Sequence, residues 1–324
     1  MNSTTNKRPE RSAQATSVPP AKFFALIPAN AGIDFVKLSP RMAMLSCALI
    51  LLGFVSMFVR GGLNYGIDFT GGTLLEARFA KPTSVADVRA ALDRSDLSSV
   101  SVQEVGTGAR EFQINGRSAG DETGATVAAI KTGLSGRFGA DNYEIIHTES
   151  VGPKVGQDLW RDAILSVLAA TVIMAIYIAA RFDFSVGVGA AVKLVHDVLI
   201  TIGALSLANM EFDLTAVAAL LTVVGFSVND NVIISDRIRE SRRKSRHESL
   251  PALINRSINE TLSRTVINSG TVVLSTAALF LLGGPVIHTF AFALLVGFVI
   301  GTYSSIFVST PIVLYLEARR GKKV

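Results

Sequence analysis

Six apolar runs punctuate the chain: Met42–Val59, Ala163–Ala180, Phe184–Leu207, Leu214–Ser235, Val266–Leu282 and Phe290–Leu316. Crossing the roughly 30 Å hydrocarbon core of a bilayer takes about 20 helical residues, so each run predicts a membrane-spanning helix. Between the first two runs the period changes. Gly72–Phe79 alternates as a strand does, Val100–Val105 and Glu111–Arg117 are short strands separated by Gly-Thr-Gly, and Tyr143–Val151 is a fourth. Thr83–Ser95 places Val85, Val88 and Leu92 at helical spacing, and Thr126–Phe138 does the same with Val127, Ile130 and Leu134. The order β-α-β-β-α-β predicts a ferredoxin-like α+β domain, a fold that hosts many functions and implies none. The expected fold class is therefore a membrane α-helical protein with six transmembrane helices and a small α+β domain between helices 1 and 2. The expected divisions are a leader at 1–40, helix 1 at 41–59, the inserted domain at 60–160, helices 2–6 at 161–316 and a tail at 317–324. The leader is rich in Ser, Thr, Pro and Gln up to Pro20, a disordered composition. Phe23–Phe35 turns apolar again, and reads either as an interfacial segment lying on the bilayer or as a continuation of the floppy leader.

Composition agrees with this partition. Of 324 residues, 49% are hydrophobic and 18% charged, against about 25% charged in ordinary soluble chains. The net charge of +5 does not indicate nucleic acid, because the basic residues cluster at Lys7–Arg11, Lys37–Arg41, Arg237–Arg246 and Arg319–Lys323, each beside an apolar span. By the positive-inside rule both termini are expected in the cytoplasm and the inserted domain on the far side of the membrane. The single cysteine, Cys47, excludes an intrachain disulfide and a cysteine-based metal site.

No catalytic constellation emerges. Gly66-Ile67-Asp68-Phe69-Thr70-Gly71-Gly72 is glycine-rich but lacks the Gly-Lys-Ser/Thr of a Walker A loop and the G-x-G-x-x-G spacing. It reads as a tight turn leading into the first strand. The four histidines are scattered, no metal-ligand spacing occurs, and no nucleotide site is visible. No cofactor is expected.

Polar groups inside the spans are the functional candidates, because ionisable side chains in a membrane core are costly. The fourth span holds Ser227, Asn229, Asp230 and Asn231, with Ser227, Asp230, Asn231 and Ile234 at i, i+3, i+4, i+7. The third holds Lys193, His196 and Asp197, and Lys193 stands one turn from Asp197, where the two can pair. The fifth opens on Arg264 and includes Asn268, Ser269 and Thr271. Burial and a nearby guanidinium pull the proton affinity of Asp230 in opposite directions. A helix movement that makes or breaks an Asp230–Arg264 pair would therefore change protonation, and protonation would bias the helices in return. Gly297 and Gly301 form a G-x-x-x-G pattern suited to close helix packing.

GIDFTGG, VGPKVG at Val151–Gly156, LVHDVLIT around His196-Asp197, VGFSVNDNVIISDRIRE, LSRTVINSGT at Leu262–Thr271 and LLGGPVI occur in this order. Together they resemble the SecF family, the smaller membrane subunits of bacterial SecDF protein-export complexes, from about Ile27 to Leu316. The resemblance implies six helices forming half of an RND-type core, with SecD supplying the other half. It implies a translocation subunit, not an enzyme, that works on unfolded secretory polypeptides beside the SecYEG translocon, driven by the proton gradient, with no nucleotide. It assigns proton coupling to Asp230 and Arg264, with Ser227, Asn229, Asn231, His196, Asp197 and Asn268 as polar neighbours; Gly66, Asp68, Gly71 and Gly72 keep the structural role read from the glycine-rich turn. Lys193 departs from the family pattern, where that position is apolar; it either neutralises Asp197 or snorkels outward. A small-molecule exporter of the same superfamily and a passive translocon-stabilising subunit are the competing readings.

Overall fold

The computed structural model of the protein describes residues 32–93, 97–105, 108–118, 123–244, 248–284 and 286–321. The leader expected to be disordered and then interfacial lies outside them through residue 31. Six helices among the described residues are long and apolar enough to cross a membrane: α1 (Phe35–Arg60), α5 (Pro153–Arg181), α6 (Phe184–Leu207), α7 (Leu214–Lys244), α8 (Leu250–Leu282) and a last one built from α9 (His288–Ser304), a π-helical stretch Ser305–Ser309 and α10 (Thr310–Gly321). Helices α6, α7 and α9 are the inner layer; α1, α5 and α8 pack around them and leave most of their surface uncovered.

Several helices outrun their apolar spans. Helix α1 starts at Phe35, where Asp34 accepts a hydrogen bond from Lys37 N at 3.0 Å as N-cap. Helix α5 starts at Pro153, so the inserted domain ends near residue 152 and not at 160. Proline suits that first helical position because its missing N–H has no partner there anyway. Helix α8 starts at Leu250, which places Arg264 near its middle and not at its opening. The widened π turn precedes Pro311, whose ring would clash with a carbonyl of a regular helix.

Glycine decides the close crossings. A Cβ on Gly53 of α1 would stand 2.8 Å from the Gly203 Cα of α6. One on Gly297 would overlap Val223 of α7, and one on Gly301 would sit 3.3 Å from Ser227 Oγ. The G-x-x-x-G face of α9 thus lies against the face of α7 that carries Ser227.

The inserted domain has α3 (Val85–Leu92) and α4 (Thr123–Phe138) and one antiparallel sheet of β1 (Gly72–Phe79), β2 (Leu97–Val105), β3 (Glu111–Ser118) and β4 (Tyr143–Val151), ordered β2-β3-β1-β4. That is the order of a ferredoxin-like fold. Leu75, Ala77, Phe79, Phe112 and Ile114 meet Val88, Leu92, Ile130 and Leu134 in its core.

The glycine-rich motif is the clasp between domain and bundle. Ile67–Thr70 forms a single helical turn, α2, bounded by Gly66 and Gly71. Gly66 N donates to Phe212 O at 2.9 Å, Phe212 N donates to Asn64 O at 2.7 Å, and Asp68 Oδ2 accepts from Leu214 N at 2.9 Å. Asp68 therefore caps the first turn of α7, where free N–H groups favour a carboxylate. Tyr65, Phe69, Trp160 and Phe212 stack around this joint with ring centroids 5.1 to 6.4 Å apart. Gly71 has φ +68°, and a Cβ there would lie 2.8 Å from the Pro153 Cα. Gly71→Ala is expected to cost about 1–3 kcal/mol through a backbone conformation nearly confined to glycine. Trp160, the only tryptophan of the chain, reports this as a lower thermal midpoint of its fluorescence in detergent; an unchanged midpoint would show that the joint can relax.

Candidate functional site

Asp230 sits at the middle of α7 and is fully buried. The predicted face is real: Ser227, Asp230, Asn231 and Ile234 are all buried. Asn229, one step round the helix, is exposed on the outside of the bundle. Asp230 Oδ2 accepts hydrogen bonds from Ser269 Oγ of α8 at 3.1 Å and Thr302 Oγ1 of α9 at 3.2 Å. Its other oxygen, Oδ1, is buried without a partner among the described residues, as is Asn231 Nδ2. A hydroxyl both donates and accepts, so a ring of Ser and Thr accommodates either protonation state of the carboxyl without rebuilding.

Arg264 is on the neighbouring helix but does not pair with Asp230; among the described residues no ion pair joins them. It is exposed, five residues or about 7.5 Å along α8 from Ser269. It lines an open cavity with Arg181, Asp236, Arg237, Glu240 and Glu260 at the end of the bundle away from the sheet domain. There Arg237 already binds Glu240 and Glu260, each at 2.5 Å.

The cation that does stand close to the buried carboxylates is Lys193. It is 1% exposed, so it neutralises Asp197 and does not snorkel. Its ammonium donates to Asp197 Oδ2 at 3.3 Å, to Ser227 O at 2.7 Å, and to Ser227 Oγ. Ser227 Oγ closes the triangle by donating to Asp197 Oδ2 at 2.5 Å. All three ammonium protons are thereby used, which is what a buried charge requires. Ser227 lies one turn before Asp230, so the Lys193 charge acts on Asp230 through space.

The triangle continues across the bundle. His196 Nδ1 meets Asp197 Oδ1 at 3.0 Å, and Nε2 meets Ser46 Oγ of α1 at 2.9 Å. Ser46 Oγ meets the Tyr303 hydroxyl of α9 at 3.0 Å, and that hydroxyl donates to Met42 O at 2.6 Å. The far end sets the direction of the line. Tyr303 spends its one proton on Met42, so it accepts from Ser46, and Ser46 accepts from His196 Nε2–H. Nδ1 faces Asp197 Oδ1 at the other end of the ring, so the imidazole links the Lys193 triangle to α1.

Gly66, Asp68, Gly71 and Gly72 belong to the clasp, outside this network. Asn268 is exposed beside Arg264 on α8. Sequence reasoning missed Ser46, Tyr303 and Thr302, since isolated hydroxyls in an apolar span carry no periodic signal. It also missed Glu211 in the α6–α7 turn, which is 8% exposed. An acid flanked by Met210 and Phe212 was the available hint.

Comparisons with known proteins point one way. Residues 132–319 match the family described as Protein export membrane protein SecD/SecF, C-terminal, and residues 55–83 match the SecD/SecF GG Motif. Protein translocase subunit SecF of Gemmatimonas aurantiaca is 42% identical over 298 residues, 90% of this chain and 89% of the relative. The SecF of Magnetococcus marinus is 44% identical over 294 residues, 90% of this chain and 94% of the relative. The crystal structure of SecDF, a translocon-associated membrane protein from Thermus thermophilus, superposes with a TM-score of 0.80 at 35% identity, covering 90% of this chain. SecDF in its super-membrane-facing form gives 0.65 at 36% identity. This chain spans 39% of the length of either SecDF chain.

The buried triangle makes a double-mutant prediction. Lys193→Met leaves Asp197 charged without its ammonium, and breaking a buried pair on one side costs on the order of 3–5 kcal/mol. Lys193→Met with Asp197→Asn removes both charges and is expected to recover most of that loss, measured by unfolding in mixed micelles. Equal destabilisation of the single and double variants would mean that the two charges do not depend on one another.

Proposed function

The chain belongs to the SecF family of protein translocase subunits, and from that premise we propose that it is one half of a proton-driven membrane core. With a SecD partner, it uses the proton-motive force to complete the transfer of secreted polypeptides across the bacterial inner membrane. It does so beside the SecYEG translocon, without nucleotide, cofactor or bond-making chemistry of its own.

The observation that carries this reading is the state of Asp230: a carboxyl in the middle of a membrane helix, buried, with one oxygen satisfied by hydroxyls and the other by nothing among the described residues. A group so placed can take up and release a proton at little structural cost. Each proton moving down the potential releases about 2.3 kcal/mol per 100 mV, enough to shift a two-state helix arrangement. Arg264 supports the reading from the rim cavity, as a cation that a modest sliding of α8 would bring toward Asp230.

The SecD half is supported by the outer face of α7 and α8. Asn229, Asn268 and Arg264 are exposed there and make no hydrogen bond or ion pair among the described residues, with Thr271 and Ser275 alongside. Gly225 and Gly270 on the same two helices have open space where a side chain would be. Lipid covers such a polar strip poorly, whereas a second helical half covers it well. The basic end of α7 and α10, carrying Arg239, Arg242, Arg243, Arg319 and Arg320, supports a cytoplasmic position for that side and a periplasmic one for the sheet domain.

Asp230→Asn is nearly isosteric and cannot cycle a proton. It is expected to insert, to assemble with SecD and to lose the proton-dependent part of precursor transport in inverted membrane vesicles. Full transport by this variant would instead assign a passive stabilising role. Arg264→Met is expected to lose the same coupling with assembly intact. A cysteine at Asn268, with Cys47 replaced by Ala, is expected to cross-link to SecD; labelling of that cysteine by a lipid-phase reagent in the assembled complex would place the SecD interface elsewhere.

A further inference from the structure

The joint between sheet domain and bundle contains an acid that the proton path through Asp230 does not use. Glu211 lies in the turn between α6 and α7, where Gln113 Nε2 and Asn115 Nδ2 of β3 donate to its two oxygens, both at 3.0 Å. These are side-chain bonds from the domain to the loop that leads into α7. Glu211 is almost wholly buried, and Gly66 of the clasp packs on it so closely that a Cβ there would lie 3.2 Å from Glu211 Oε1.

Its surroundings are acidic. Asp213 stands on the same turn, and Asp68 of α2 faces it. Glu76, Glu104, His147 and Glu149 of the sheet and His288 of α9 line the same cavity of about 740 Å³ between domain and bundle. The imidazole of His147 meets Glu149 at 2.8 Å, and His288 stacks on Phe280. Arg60 of α1 reaches the turn but donates to Asn209 and Leu207 O, not to Glu211. No cation therefore pairs with Glu211 among the described residues. The carbonyl oxygen of Asn115 is buried with no partner among the described residues, so turning that amide over presents an acceptor to a protonated Glu211.

We propose that Glu211 is a second proton-binding site of this chain, on the sheet-domain side, and that its proton fastens the domain to the start of α7. Proton binding there and domain docking are then two readings of one equilibrium. Burial first, and next the charge of Asp213, push the Glu211 carboxyl up to about 7, from an ordinary value of 4.5. A domain that lifts off exposes the group to water and returns it toward the ordinary value. The docked form thus binds the proton more tightly, so docking is strongest below about pH 4.5 and weakens as pH rises through about 7. The docking equilibrium is expected to change on the order of a hundredfold across that window.

The test uses the full chain assembled with SecD in lipid nanodiscs, with no proton gradient. Spin labels are placed at Lys131→Cys on α4 and Val59→Cys at the end of α1, in a Cys47→Ala background. The inter-label distance is expected to lengthen or broaden between about pH 4.5 and about pH 8, with its midpoint below about 7. Glu211→Gln keeps the shape and both hydrogen-bonding atoms of the protonated acid, and is expected to hold the short distance throughout. Asp230→Asn is expected to respond as the parent does, so this result and the fate of the transport proposal are read separately. A parent distance independent of pH, or a Glu211→Gln chain that moves with pH as the parent does, would overturn the assignment.

Discussion

An ammonium removed from water is tolerable only when each of its protons finds an acceptor, and the inner layer of this bundle is arranged around that requirement at Lys193. Asp197 comes from one turn along the same helix, and both Ser227 acceptors come from α7. The Lys193 triangle therefore fixes α6 against α7 in rotation as well as in height, since a turn of either helix by one residue would leave a buried charge bare. Small residues make the approach possible: Gly301 of α9 lies behind Ser227, and Gly203 of α6 lies against Gly53 of α1. Asp230 inherits its position from this arrangement. With Ser227 pinned, the carboxyl one turn later can only point between α8 and α9, toward Ser269 and Thr302.

The same helix is fixed at its start by different means. Asp68 caps the first turn of α7 from the glycine-rich clasp, and Asp213 caps it from within, accepting from Ala216 N at 2.7 Å. Helix α7 thus runs from a joint with the sheet domain to a buried titratable carboxyl along one rigid element. A displacement of the domain that dragged Asp68 would be felt at α7 before any other inner helix. Interfaces of packed side chains have discrete arrangements, so such a pull is transmitted as a choice between registers and not as a gradual bend.

Parts of this were legible in the residues alone. Gly72–Phe79 and Tyr143–Val151 carry clean alternation between turn residues, and Phe184–Leu207 is bounded by Asp183 and the Ala-Asn turn, so their limits agree with the structure. The starts of α1, α5 and α8 were not legible, because a run of hydropathy registers where lipid is, and each of these helices continues beyond it on a polar course. The buried face of α7 followed from i, i+3, i+4 spacing, and the Lys193–Asp197 pair from i, i+4. What spacing cannot tell is which residue of another helix completes a contact. Arg264 looked like the partner of Asp230 because charge is conspicuous in a sequence; Ser269 and Thr302 are the partners because they are what the packing of three helices brings within reach.

That difference bears on the proton coupling proposed for Asp230. A fixed Asp230–Arg264 pair would hold the carboxyl in one charge state, and a proton would have to break it on every cycle. Hydroxyl partners impose no such lock, since Ser269 and Thr302 can reverse the sense of their hydrogen bonds when the acid is protonated. Lys193 supplies a steady field from the other side of Ser227, already committed to Asp197 and so unable to swing over and neutralise Asp230 outright. The carboxyl is thereby kept near a cation but not bonded to one, with Oδ1 buried and unpartnered among the described residues. The proton exchange proposed for Asp230 would then run past the hydroxyls of Ser269 and Thr302, the groups that reach the carboxyl from α8 and α9.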